Sequence, residues 1–194
     1  MASFKKFIPW IVIGILVLWG FSSYNGIATK DQEVKRAWGD VESDYQRRSD
    51  LIPNLVNTVK GYANFEQKTL TDVIQARASA TQMKIDPTNL TPEKLAAFQQ
   101  AQTGLSSAIG RLLVVSENYP DLKANQNFLD LQAQLEGTEN RISVSRKRFN
   151  EAVLTYNGLI VRFPGSLVAK IGGFTEKGFF EAAEGADKAP EVKF

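Results

Sequence analysis

Residues 34–62 read VKRAWGDVESDYQRRSDLIPNLVNTVKGY, and the placing of their apolar side chains decides the fold. Val34, Trp38, Val41 and Tyr45 recur at alternating steps of four and three, and Ile52, Leu55, Val59 and Tyr62 resume the stripe one heptad later. That period puts them all on one face of a helix. Pro53 falls inside the pattern without shifting its phase, which argues for a helix that kinks and continues. The alternative is a fresh start, with Asp50 as N-cap and Pro53 in the first turn, where its missing N–H costs nothing.

Upstream lies FIPWIVIGILVLWGFSSYNGIAT (residues 7–29), a run without charge that follows Lys5 and Lys6. About 20 mostly apolar residues suffice for a helix to cross a ~30 Å hydrocarbon core. Trp10 and Trp19 suit the two interfacial belts, and Phe7 and Tyr24 lie near the ends of the span. Residues 1–29 are therefore expected to form a membrane anchor. A cleaved signal peptide is the rival, but Phe21-Ser22-Ser23-Tyr24 makes a poor exit site. The lysines before the span favour a cytoplasmic N-terminus and an extracytoplasmic domain. Lys30, Lys35 and Arg36 on the far side dilute that bias.

Composition excludes much chemistry. The chain of 194 residues has 23 basic and 21 acidic residues; every acid lies at or beyond Asp31, so the domain is nearly neutral. It lacks the electrostatic footprint of a nucleic-acid binder. With neither histidine nor cysteine, thiolate metal sites, thiol nucleophiles and the commonest general base are all absent.

The seam weakens through Leu70 and Val73, so the first bundle helix is expected over about residues 30–83. Thr91-Pro92-Glu93 opens a second helix, to about residue 119, with a hydroxyl cap, a first-position proline and a dipole-matched acid. Phe128, Leu131, Leu135, Ile142, Phe149, Tyr156, Ile160 and Phe163 define a third over 125–163, stopped by Pro164-Gly165. Residues 165–194 read as a short helix over Ser166–Gly172 followed by an irregular arm carrying glycines and phenylalanines. The expected class is all-α: a transmembrane helix, an antiparallel helical bundle over 30–164, and the arm. A rod from 34 to 83 spans about 70 Å, and the second helix returns only about 40 Å. The anchor-proximal seam around Trp38 must then be hidden by another protomer or by the arm.

The run Gln46 to Ala63, together with Glu139-Asn140-Arg141-Ile142, Arg146, Phe149-Asn150, Tyr156-Asn157 and Phe163-Pro164, resembles the signature of the bacterial LemA family. The resemblance implies a single-span membrane protein of the bacterial envelope whose helical domain has no settled activity. Family descriptions place the short N-terminus outside the cell, opposite to the charge reading. Relatives often carry histidine where this chain has Phe65, which removes any metal or proton role at that position.

Candidate chemistry concentrates near the proline. Arg47, Arg48 and Asp50 form the densest charge cluster, and Arg48 points toward the seam. It reads as an anion or partner-carboxylate site, or as half of an internal ion pair with Asp121 as one acceptor. Asn54 either satisfies backbone groups freed by the kink or lines a peptide groove. With Lys60 and Tyr62 these residues make the candidate interaction surface. Glu66, Arg77, Arg111 and Arg141 are expected as buried register-setting polar groups rather than an acid–base site. Glu136 and Glu139 have di-iron spacing but no histidine to complete it, so they read as surface charge. The arm either packs in cis or docks on a partner; Val192-Lys193-Phe194 offers a terminal carboxylate to a binding module.

These features point to a non-enzymatic, membrane-anchored scaffold, adaptor or assembly protein without cofactor or nucleic-acid partner. It would contact the bilayer and a protein partner or a second copy. A bundle that senses a small anion or peptide near Arg48 is the alternative. An enzyme using only carboxylates and lysine is the third.

Overall fold

The computed structural model describes residues 7–61 and 66–181; within them the fold is all-α, with no strand. Tyr62, Phe65 and the terminal Val192-Lys193-Phe194 lie outside the described residues. Six helices follow in order: α1 (Ile8–Lys60), α2 (Gln67–Gln82), α3 (Pro92–Ser116), α4 (Pro120–Lys123), α5 (Gln126–Val161) and α6 (Gly165–Gly172).

Helix α1 is one uninterrupted rod of 53 residues that carries the apolar span directly into the bundle. It runs through Pro53, so Asp50 does not cap a new helix. The expected single helix over 30–83 is corrected: α1 ends at Lys60, and α2 folds back alongside it. The guanidinium of Arg77 on α2 donates through Nε to the Ser49 carbonyl at 2.9 Å, which places residue 77 level with residue 49. Leu70 and Val73 kept the phase of the α1 stripe, and phase alone does not separate a continuing rod from a hairpin. Gly61 ends α1 at φ −63°, still helical, so no left-handed glycine cap marks the reversal.

Helix α3 turns again beside α2, where Gln102 donates to the Ala80 carbonyl at 3.3 Å. It begins as its sequence dictates: Thr91 accepts from the Lys94 N–H, Pro92 takes the first turn, and Glu93 faces the positive end of the dipole. The Asn125 side chain caps α5 by accepting from the Phe128 N–H at 3.2 Å. Helix α5 then descends along most of α1, from Glu139 opposite Arg48 to Tyr156 near Asp31. The result is an up-down-up-down bundle on one membrane-capable helix.

Its core falls into two clusters. The distal one gathers Ile52, Leu55, Val59, Val73, Leu105, Leu112 and Leu122 with the upper half of α5. The anchor-proximal one centres on Trp38, fully buried with ring centroids 5.2 Å from Phe98, 5.7 Å from Phe149 and 6.1 Å from Phe180. Phe180 belongs to the arm. Phe98 belongs to α3, so the expectation that the second helix stops short of the Trp38 seam is corrected: α3 and the arm cover it together, within a single chain.

Candidate functional site

Between the two apolar clusters lies a polar layer built on Arg48. The residue, 2% exposed, comes from the inner stripe of α1. One terminal nitrogen donates to Ser106 Oγ at 2.6 Å and Glu139 Oε2 at 2.9 Å; the other donates to Gln102 Oε1 at 2.8 Å and its carbonyl at 3.2 Å. Gln102 passes the network to α2 through Ala80. One guanidinium thus ties α1, α3 and α5, and its partner ties α2. Sequence reasoning offered Asp121 as an acceptor and read Glu139 as plain surface charge; Glu139 is the ion-pair partner, a largely exposed residue whose carboxylate reaches inward. A cavity beside Ser49 and Gln102 has a volume of about 50 Å³. That is room for a water or so, and far below a ligand pocket.

The other expected buried polar residues sit elsewhere. Glu66 is exposed and accepts from Thr69 Oγ1 at 3.0 Å; Arg111 is exposed and lines the same surface groove. Arg141 is exposed in a different groove, on the α1–α5 face with Asp40 and Asp44. Only Arg77 is drawn inward, half-buried against Ser49. The hairpin explains these misplacements, because α2 lies beside α1 instead of extending it. Arg47, Asp50 and Asn54 form an exposed stripe at steps of three and four on the outer side of α1, with Lys60 exposed at its end. Asp50 accepts from Gln46 Nε2 at 2.7 Å. The carbonyl freed by Pro53 is taken by Arg77, and Asn54 contributes its own carbonyl to Thr58 Oγ1. Among the described residues no three metal-ligating acids converge.

Sequence reasoning missed a second polar feature, a clasp that holds the arm over residues 174–181. The side-chain amide of Asn157 donates to the Lys177 carbonyl at 2.9 Å and accepts from its N–H at 3.0 Å. Asn150 makes the same pair of bonds with Phe180, both at 2.9 Å. Gln99 repeats the motif on Glu181, and Arg146 adds a bond to the Glu181 carbonyl at 2.8 Å. Tyr156 donates to the Thr175 carbonyl, and Gly178 donates to the Leu90 carbonyl at 2.8 Å. A Cβ on Gly178 would stand 2.7 Å from the Pro92 Cα, so only glycine lets the arm pass the start of α3. The arm crosses from α5 to α3 and closes the half of the bundle that α2 does not reach. The signal was present: within α5 an aromatic followed by asparagine occurs twice, one heptad apart, at Phe149-Asn150 and Tyr156-Asn157.

At the foot of the clasp the buried ammonium of Lys177 meets Asp31 at 2.9 Å, and Lys35 meets the other carboxylate oxygen at 2.7 Å. Burial alone would raise the Asp31 pKa, but the two ammonium groups outweigh it and hold the carboxyl below its usual range. The Tyr156 hydroxyl is pushed up to about 12 by burial and by the Asp31 charge.

Comparison with known proteins gives this architecture its kin. The family profile described as the LemA family matches residues 37–194. The chain belongs to the LemA family. The match starts inside α1, beyond the apolar span, and runs through the bundle and the arm. The chain's relatives include magnetosome protein MamQ of Magnetospirillum gryphiswaldense, 25% identical over 181 residues, covering 84% of this chain and 66% of that protein. MamQ 2 of Paramagnetospirillum magneticum is 26% identical over the same coverage. Protein LemA of Metamycoplasma hominis is 25% identical over 174 residues, 90% of this chain and 76% of that one. The chain thus spans just under two thirds of the magnetosome proteins it matches.

Proposed function

We propose that this LemA-family chain is a non-enzymatic, membrane-anchored scaffold or assembly protein of the bacterial envelope. The observation that carries the reading is the unbroken α1, which joins the apolar span to the bundle core with no hinge among the described residues. A rod fixed at one end and packed at the other holds a surface at a set height above the bilayer. The buried polar groups support this use: Arg48, Gln102, Asp31 and Lys177 are spent on contacts within the chain. Relatives named as magnetosome proteins carry no enzyme name, in keeping with this reading.

The working surface is the outer stripe of Arg47, Asp50 and Asn54, running to Lys60 at the tip, and its occupant is a protein partner or a second copy. A sensor of anions or peptides at Arg48 has less support, because both terminal nitrogens already hold acceptors in cis. The chain sits in the cytoplasmic membrane by one pass, with the bundle on the extracytoplasmic side, the orientation that the lysines before the span favour. Photo-crosslinkers at Asp50 and Asn54 in intact membranes should give one discrete adduct, absent from a crosslinker at Val144. No adduct at either position, or equal labelling at all three, removes the scaffold reading. Alkylation of an introduced Lys60→Cys by an impermeant reagent in whole cells tests the orientation.

A further inference from the structure

We infer that α6 is an interfacial helix, whose outward face lies in the headgroup–acyl boundary of the same bilayer that α1 crosses. The inference rests on the anchor reading of residues 7–29 and concerns a different element. Helix α6 is set at 99° to α5. Since α5 runs antiparallel to α1, α6 lies crosswise to the span, in the plane of a membrane that α1 crosses. Its inner side is committed to the bundle: Ala169 is buried and Val168 packs against the anchor-proximal core. Its outer side is bare. Leu167 is 56% exposed and Ile171, one turn on, is 89% exposed, while Phe163 in the bend before the helix is 80% exposed. Lys170 stands exposed between them, suited to reach lipid phosphates while its stem lies on apolar surface.

Height decides what covers this face. A hydrocarbon slab of ~30 Å entered at Ile8 ends about 20 residues later, near Ile27, the first buried core residue of α1. Helix α6 touches α1 below that level. A Cβ on Gly172 would stand 3.0 Å from the Tyr24 ring, and Phe174, just past α6, packs on Tyr24 with centroids 5.3 Å apart. Phe163 and Gly165 line one groove with Trp19. With the span inserted, α6 therefore cannot stay in bulk water. An apolar face with a lysine beside it is what that depth accommodates. The sequence alone showed no second membrane face, because α6 carries apolar residues on both sides, Leu167 and Ile171 outward and Val168 and Ala169 inward.

The chain has no cysteine, so single spin labels report their own position. Leu167→Cys and Ile171→Cys would be labelled in the full chain, in vesicles of phosphatidylethanolamine with phosphatidylglycerol. Leu16→Cys serves as the buried reference and Val144→Cys as the aqueous one. Both α6 labels should collide more with oxygen than with a water-soluble nickel chelate, as Leu16 does, and Val144 should show the reverse. Nickel accessibility at α6 equal to that at Val144, with Leu16 still lipid-like, overturns the inference and leaves the anchor intact. Shielding from both reagents with spin–spin broadening shows a second copy on this face and also overturns it. Nickel access at Leu16 removes the anchor reading and this inference together.

Discussion

The Nε of Arg77 donates to the carbonyl of Ser49, four residues before Pro53. In an α-helix that carbonyl would accept from the N–H of residue 53, which proline lacks. A side chain from the neighbouring helix therefore fills the gap, and α1 passes its proline without a break. Arg77→Met should lower the stability of the detergent-solubilised chain by about 2 kcal/mol, since it strands a backbone acceptor and removes a charged donor. Adding Pro53→Ala, which restores the N–H, should recover most of that loss. Melting followed by near-ultraviolet circular dichroism measures it; additive effects of the two changes would rule out the pairing.

Breaking the Arg48–Glu139 pair should be asymmetric. Glu139→Ala leaves the buried guanidinium its three neutral acceptors on Ser106 and Gln102, and should cost about 2 kcal/mol. Arg48→Met lets the carboxylate, 60% exposed, rehydrate but strands the buried acceptors of Gln102, so its cost should be larger, about 3–4 kcal/mol. Denaturant unfolding of both variants gives the order; a larger loss for Glu139→Ala would contradict the network.

The clasp works because two repeats match. Asn150 and Asn157 are seven residues apart on α5, a rise of about 10.5 Å. Their partners Phe180 and Lys177 are three apart on an extended segment, about 10 Å. Each side-chain amide therefore meets a backbone as a neighbouring strand would. Asn150→Ala and Asn157→Ala should each speed amide exchange across residues 175–181 at least tenfold while leaving α2 unchanged. Gly178→Ala should release the same segment by displacing it from Pro92. Exchange that rose equally in α2 and the arm would mean global loosening instead.

Asp31 links the arm to pH. Its folded pKa lies below the ordinary carboxylate value, so the stabilisation it brings is fully present above about pH 4, the unfolded value. That stabilisation fades as pH falls through the lower folded value. Asp31→Asn should therefore destabilise the chain at pH 7 by about 3 kcal/mol, because it leaves Lys177 buried and unpaired. The gap between wild type and variant should shrink below pH 4. Melting temperatures of both proteins from pH 7 to pH 3 test this; a constant gap would disconnect Asp31 from the acid limb.

The helices could be read in advance because their causes are local. The Thr91-Pro92-Glu93 start, the α5 seam from Phe128 to Ile160 and the Pro164-Gly165 stop each act within a turn or two of chain. The hairpin after Gly61 could not be read, because Leu70 and Val73 fit either path and the choice depends on which helix they meet. Glu66, Arg111 and Arg141 followed that error outward. Arg48 was recognised by its place on the seam, but its partner Glu139 lies 91 residues away and its spacing looks superficial. The clasp stayed hidden for a different reason. Its asparagines grip main chain, and the groups they grip leave no mark on the side chains of residues 177 and 180.

The continuity of α1 has a mechanical consequence. From Ile27 to Lys60 the rod rises about 50 Å, so each 10° of lean sweeps its far end sideways by about 9 Å. On the anchor reading proposed above, a mismatch between span and bilayer thickness is one cause of lean, and the tip would register it as lateral travel. Helix α6, splayed at the base like an outrigger, would then be placed to resist such leaning.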